Sequence, residues 1–188
     1  MGPAPPLGFA REGPGRMDEP IAPDTSTAGE PAPVSMHFVN NVLAAAASYI
    51  EDDPEQAREV LAELSAFLTY RLRRPPREVT LAQEIEHVGV YVRLEQARFP
   101  GRIAASLPPS SELPRVPVEP AAVQAEVADA LGRWLGQRPG PCRMTLHSLP
   151  GEPSLELVME RPGEPGATET LRLSLPEATS TMQTGRVA

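Results

Sequence analysis

A chain of 188 residues has room for one domain or two small ones, and its net charge of −8 excludes a general surface for nucleic acid or anionic membrane. All 17 basic residues are arginine, so a lysine nucleophile and a P-loop lysine are both excluded. Cys142 is the only cysteine; neither an internal disulfide nor a cysteine-built zinc cluster can form, and a reducing cytoplasm is the expected setting.

Residues 1–33 hold eight proline and five glycine residues, a composition that buries too little apolar surface to order itself, and they read as a flexible tail. They contain Arg11 and Arg16 but no continuous apolar stretch, so no secretory signal is expected. The uncharged apolar run from Val42 to Ile50 is far short of the roughly 20 residues that cross a bilayer, and no membrane span is expected.

From Val34 the apolar positions Val34, Phe38, Val42, Ala45 and Tyr49 recur at helical spacing, predicting a helix that stops near Glu51–Asp52. Asp53-Pro54-Glu55-Gln56 predicts a second start, with Asp53 as N-cap, Pro54 in the first helical position and Gln56 completing a capping box. This second helix is expected to bury Ala57, Leu61, Leu64, Leu68 and Leu72 and to end at Pro75-Pro76. Two short-linked antiparallel helices cannot cover both apolar stripes alone. Either a second copy completes an isologous four-helix bundle, or both helices pack on the rest of the same chain.

Thr80-Leu81-Ala82-Gln83 is a capping box opening a helix through Ala97, with Leu81, Ile85, Val88 and Val92 on one side. Residues 102–107 read as a short strand. Pro120 is expected to start a helix bearing Val123, Val127, Leu131 and Trp134 and closing around Gly136, with Trp134 as a core anchor. Alternating segments at 143–147, 155–159 and 171–175 predict strands, separated by turns at Pro150-Gly151 and Pro165-Gly166. The predicted fold class is α+β: a helical hairpin, as a dimeric four-helix bundle, followed by a small α/β sandwich with helices on one face of a mainly antiparallel sheet. The expected divisions are a tail at 1–33, the hairpin at 34–76, the sandwich at 77–176 and a flexible tail at 177–188.

Three boxes in order carry a resemblance. Met36-His37-Phe38-Val39-Asn40-Asn41-Val42-Leu43 is the first, and Leu64-Ser65-x-Phe67-Leu68-x-Tyr70-Arg71 the second. The third runs through Leu81-x-x-Glu84-Ile85 and Tyr91-Val92-x-Leu94-Glu95-Gln96-Ala97-Arg98-Phe99 to Arg102. Each box is weak alone; their order and spacing over about 35 to 135 make the chain resemble the LytS-type sensor histidine kinases. The resemblance implies a dimerisation and phosphoacceptor hairpin followed by an ATP-binding sandwich, with His37 at the phosphoacceptor position and a response-regulator receiver aspartate as the partner. If such proteins work behind membrane sensors, this chain is expected to have lost that part.

The chemistry of His37 also stands on its own. Neutral imidazole accepts a phosphoryl group through one nitrogen while the other handles the proton. His37 and Asn41 lie at i and i+4 on one helix face, where an amide orients the ring or positions a water for dephosphorylation. Ala44 and Ser48 continue that face and leave room for a docking partner.

The chain departs from the family pattern at Met36, where the family has proline, and at Asn40, where it has an aromatic. The departures grow at the nucleotide positions. Gln124-Ala125-Glu126-Val127-Ala128-Asp129-Ala130 stands where the family reads Gln-Pro-Leu-Val-Glu-Asn-Ala, so the glutamate is Ala128 and the magnesium-binding asparagine is Asp129. Val158-Met159-Glu160-Arg161-Pro162-Gly163 stands in the adenine box, with Glu160 for aspartate and Pro162 where glycine's freedom is required. Only ten residues separate Glu160 from Leu171, where the family places an ATP lid, a second glycine-rich box and a helix. His37 and Asn41 are therefore the candidate catalytic pair, Asp129 and Glu160 a degenerate nucleotide pair, and no cofactor is expected unless ATP and Mg²⁺ bind a divergent site. His87, His147 and the cluster Arg71, Arg73, Arg74 and Arg77 read as structural or solvated, the cluster alternatively as a dock for an acidic regulator. Three functions stay open: a pseudokinase or histidine phosphotransferase, a non-catalytic dimerising adaptor that inhibits another histidine kinase, and an active kinase with a divergent site.

Overall fold

The computed structural model describes residues 34–72, 78–149, 154–164 and 166–175. The tails expected at 1–33 and 177–188, the helix stop at Pro75-Pro76, the turn at Pro150-Gly151 and Pro165 lie outside the described residues.

Ser35 opens helix α1, Met36–Tyr49, its hydroxyl accepting from the Phe38 N–H at 3.4 Å. Asp53 starts α2, Pro54–Leu72, by accepting from the Gln56 N–H at 3.0 Å. Helix α3, Leu81–Arg98, begins with the full capping box expected at Thr80 and Gln83. Its buried face carries Leu81, Ile85, Val88 and Val92 as the spacing predicts.

The hairpin stripes are rotated from expectation. Val39, Val42 and Ala46 are the buried residues of α1, and Ala57, Val60, Leu64 and Phe67 those of α2. Leu61 and Leu72, expected inside, are 46% and 73% exposed. The cause is a second neighbour: α1 and α2 pack on each other and also on α3, so the side lying between two neighbours is the one covered. The Tyr49 hydroxyl fastens α1 to the end of α3 by donating to the Ala97 carbonyl at 3.1 Å.

Strand β1, Val79–Thr80, pairs antiparallel with β3, Pro117–Val118, in a ribbon too short to leave any periodicity in the sequence. Strand β2, Ile103–Ser106, runs parallel to β4, Cys142–Ser148, with helix α4, Ala122–Gln137, in the crossover. Strands β5, Ser154–Glu160, and β6, Thr168–Ser174, complete an antiparallel meander, giving the order β2-β4-β5-β6. Helix α4 starts at Ala122 rather than at Pro120, because Ala121 takes a left-handed turn at φ 65° and delays the first helical residue.

Alternation along the sheet puts Met144, Leu146, Leu155, Leu157 and Met159 inside, in one buried cluster with Trp134, Leu131 and Val127 of α4 and Leu94 of α3. The same cluster takes in Val42 of α1 and Leu64 of α2, so hairpin and sandwich share a core. Arg102 closes the far end of α4, donating to the carbonyls of Arg138 at 3.2 Å and Gly140 at 3.3 Å. Burial pushes the Cys142 thiol up to about 11, so it packs as an unreactive thiol. Leu157→Ala, which empties a fully buried position, is expected to cost about 2–5 kcal/mol. Urea unfolding followed by fluorescence of Trp134, the single indole in the chain, measures it.

Candidate functional site

His37 stands in the first turn of α1, two residues after the Ser35 cap, and is exposed. One turn on, the Asn41 amide nitrogen lies 3.0 Å from the imidazole Nε2. With the amide donating, Nε2 accepts and the ring proton sits on Nδ1. Ala44 and Ser48 extend the exposed face beyond Asn41.

Beside His37 lies a cleft of about 330 Å³. Ser35, His37 and Phe38 line it from α1 and its cap, Phe67 and Arg71 from α2, Tyr91, Glu95 and Arg98 from α3, and Gln124, Ala125 and Ala128 from α4. Its base is aromatic: the Phe38 ring lies 5.2 Å from that of Phe67 and 5.5 Å from that of Tyr91, centroid to centroid. Arg98 lies 5.4 Å over Phe38 and donates to both oxygens of Glu95, at 2.7 and 2.8 Å. The Tyr91 hydroxyl donates to the same carboxylate at 2.9 Å. Burial lifts Glu95 above the ordinary carboxylate range, against the opposing pull of Arg98 and Tyr91. Tyr91 is also shifted upward, first by burial and then by the charge of Glu95.

The α4 wall is held from outside its own sequence. Glu84, fully buried on α3, accepts from the backbone N–H of Ala121 at 3.0 Å and of Gln124 at 3.1 Å. The Tyr70 hydroxyl of α2 donates to it at 2.5 Å, and Arg71 donates to the Gln124 side chain at 3.0 Å. His87 stacks on Tyr70 at 3.3 Å between centroids, and burial draws its pKa down against the pull of Glu84 and Glu86. His147 is exposed on β4.

His37 and Asn41 are thus brought together, and Ala128 lines the cleft that His37 also borders. Asp129 and Glu160 do not line it. Asp129 is exposed and ion-paired with Arg133 one turn along α4, and Glu160 ends β5 in an ion pair with Arg143 at 2.8 Å. The roles of Glu84, Glu95 and Arg98 were not read from the sequence, yet a signal was there. Glu84 and Glu95 fall on the apolar face of α3 that Leu81, Val88 and Val92 define, and a carboxylate on a buried face requires partners.

A mixed sheet with helices against one face, preceded by a helical hairpin presenting an exposed histidine, is consistent with a histidine-kinase-like fold. A histidine kinase family model matches residues 32–103. The sensor histidine kinase BtsS of Escherichia coli K12 is 37% identical over 106 residues, covering 56% of this chain and 19% of that protein. The sensor protein LytS of Bacillus subtilis is 29% identical over 125 residues, covering 66% of this chain and 21% of that protein. The sensor histidine kinase/phosphatase LytS of Staphylococcus aureus is 35% identical over 101 residues, 53% of this chain and 17% of its own length. The chain therefore spans about a fifth of the length of these relatives, and over that span it is similar to the sensor histidine kinases BtsS and LytS.

Removing the guanidinium from beneath the cleft tests how it is held. Arg98→Ala leaves the buried Glu95 carboxyl without its cation and is expected to cost about 3–5 kcal/mol, much of it recovered by adding Glu95→Gln. A carboxyl whose folded pKa lies above its unfolded value stabilises the fold while protonated, and that contribution is lost as pH rises through the raised value. Loss of Arg98 raises Glu95 further, so the deficit measured by denaturant unfolding grows as pH rises through that raised value.

Proposed function

We propose that this chain is a cytoplasmic two-component signalling protein in which His37 exchanges a phosphoryl group with a response-regulator aspartate without being charged from ATP. The observation that carries the reading is the exposed His37–Asn41 pair, one turn apart and in contact, within the segment that matches histidine kinases. A lone pair of the imidazole forms the P–N bond as the acyl P–O bond of the receiver's aspartyl phosphate breaks, and the aspartate leaves as a carboxylate. The proton on the other ring nitrogen leaves to solvent. Asn41 swings off Nε2 to let it react and then stands beside the phosphoryl oxygens. The staphylococcal relative is named both kinase and phosphatase, and by analogy Asn41 here would hold the water that removes the phosphate. The first turn of α1 favours the added negative charge by about 0.3–1 kcal/mol through its unpaired N–H groups.

The residues at the nucleotide positions do not fit Mg-ATP. Ala128 brings no carboxylate to the cleft, Asp129 is engaged by Arg133, and Glu160 by Arg143. Only residues 161–167 separate β5 from β6 along the sequence, and in our reading that leaves little chain for a lid over a triphosphate. These features support a pseudokinase or phosphotransferase over an active kinase.

A second copy of the chain is the proposed cover for the exposed apolar residues Met36 and Leu43 on α1, Ile50 at its C-cap, and Leu61 and Leu72 on α2. The same residues support the second reading, an adaptor that pairs with another histidine kinase and inhibits it whether or not residue 37 is histidine.

Incubation with phosphorylated receiver domains is expected to place acid-labile phosphate on His37, and none on His37→Gln. Equal labelling of both chains, or of neither, rules the phosphotransfer out. Calorimetry with Mg-ATP is expected to show no binding; a dissociation constant between about 1 μM and 1 mM would favour the active kinase. Light scattering is expected to give the mass of two chains, and Leu61→Glu with Leu72→Glu the mass of one.

A further inference from the structure

We propose that Glu84 is a positioning residue for the His37 cleft: with the half-buried Tyr70 it forms a latch that ties the first turn of α4 to the hairpin, so that displacement of α2 moves the cleft wall.

Helix α4 has no side-chain cap of its own, and its N-cap residue Ala121 sits at φ 65°. A residue with a Cβ resists that conformation by roughly 1–2 kcal/mol, so something must hold it there. Glu84 does. Its Oε2 takes the Ala121 N–H and the Tyr70 hydroxyl, and its Oε1 takes the Gln124 N–H. Two donors that a helix start leaves unpaired are thereby satisfied by a carboxylate from another helix, on the side where the helix dipole favours negative charge.

The third donor brings in the hairpin. Tyr70 and Arg71 are consecutive in the last turn of α2, and both reach the start of α4, one through Glu84 and one directly at the Gln124 side chain. Gln124 is bound at its backbone by Glu84 and at its side chain by Arg71, and it lines the cleft with Ala125 and Ala128 of the next turn. Because Glu84 is fully buried, a partly broken set of bonds would leave a carboxylate short of donors. The latch is therefore made or released as a unit, and release frays the turn that forms the wall. Burial and the bond to Glu84 push the Tyr70 phenol up, so it remains a donor through the physiological range.

The importance given to the cleft rests on the proposed role of His37; the latch does not. Tyr70→Phe removes one hydroxyl and keeps the ring that stacks on His87, and Glu84→Gln is the second variant, both in the full chain. Hydrogen exchange is read at the amides of Ala121–Ala125 and, as reference, of Met144–Leu146. Carbethoxylation of His37 is read by peptide mass spectrometry relative to the exposed His147. Both variants are expected to speed exchange in the α4 turn by about tenfold or more, leave β4 unchanged, and raise His37 labelling severalfold over His147. Acceleration shared equally by β4 makes Glu84 an ordinary stabilising residue and overturns the proposal, as does unchanged exchange at α4 or an unchanged labelling ratio. Local release with no phosphotransfer to His37 in the parent chain would sink the phosphotransfer reading and leave the latch standing.

Discussion

A single buried carboxylate organises the molecule. Glu84 is withdrawn from water and satisfied by three donors drawn from two other parts of the chain: the Tyr70 hydroxyl of α2, and the Ala121 and Gln124 amides at the start of α4. Buried charge is tolerated only with such complete partnership, so one residue dictates how three helices meet. The left-handed Ala121, the late start of α4 and the presence of Gln124 in the cleft wall all follow from that requirement.

Charge is distributed unevenly between the two chemistries that the resemblance implies. Around His37 the polar groups are organised against one another: Asn41 on the ring, Arg98 and Tyr91 on Glu95, Arg71 on Gln124. At the positions that the resemblance would assign to nucleotide, Asp129 and Glu160 are ion-paired with neighbouring arginines, and Ala128 brings only a methyl group to the cleft. In our reading, that contrast favours a protein that hands phosphate on over one that draws it from ATP.

The hairpin has one covered side and one exposed side. One side of α1 and α2 is spent on α3, which binds the hairpin to the sandwich through a common core. The leucine side is left outward, and no helix among the described residues is long and apolar enough to cross a membrane. Exposed leucines on two adjacent helices favour association, and a second copy is the cover proposed here.

The sequence by itself determined the elements. Capping residues at Asp53 and Thr80, the apolar spacing along α3, and the alternation in the last three strands are local properties, and local backbone chemistry is enough to read them. The i to i+4 placement of His37 and Asn41 was legible for the same reason, since helix geometry alone makes them neighbours. Tertiary structure alone decided which stripe of the hairpin is covered, because Leu61 and Val60 differ by one position in sequence and only the location of α3 separates inside from outside. It alone decided the partners of Glu84 as well. A carboxylate on an apolar face announces that donors are needed, but those donors lie 14, 37 and 40 residues away, and no periodicity links positions that only folding brings together.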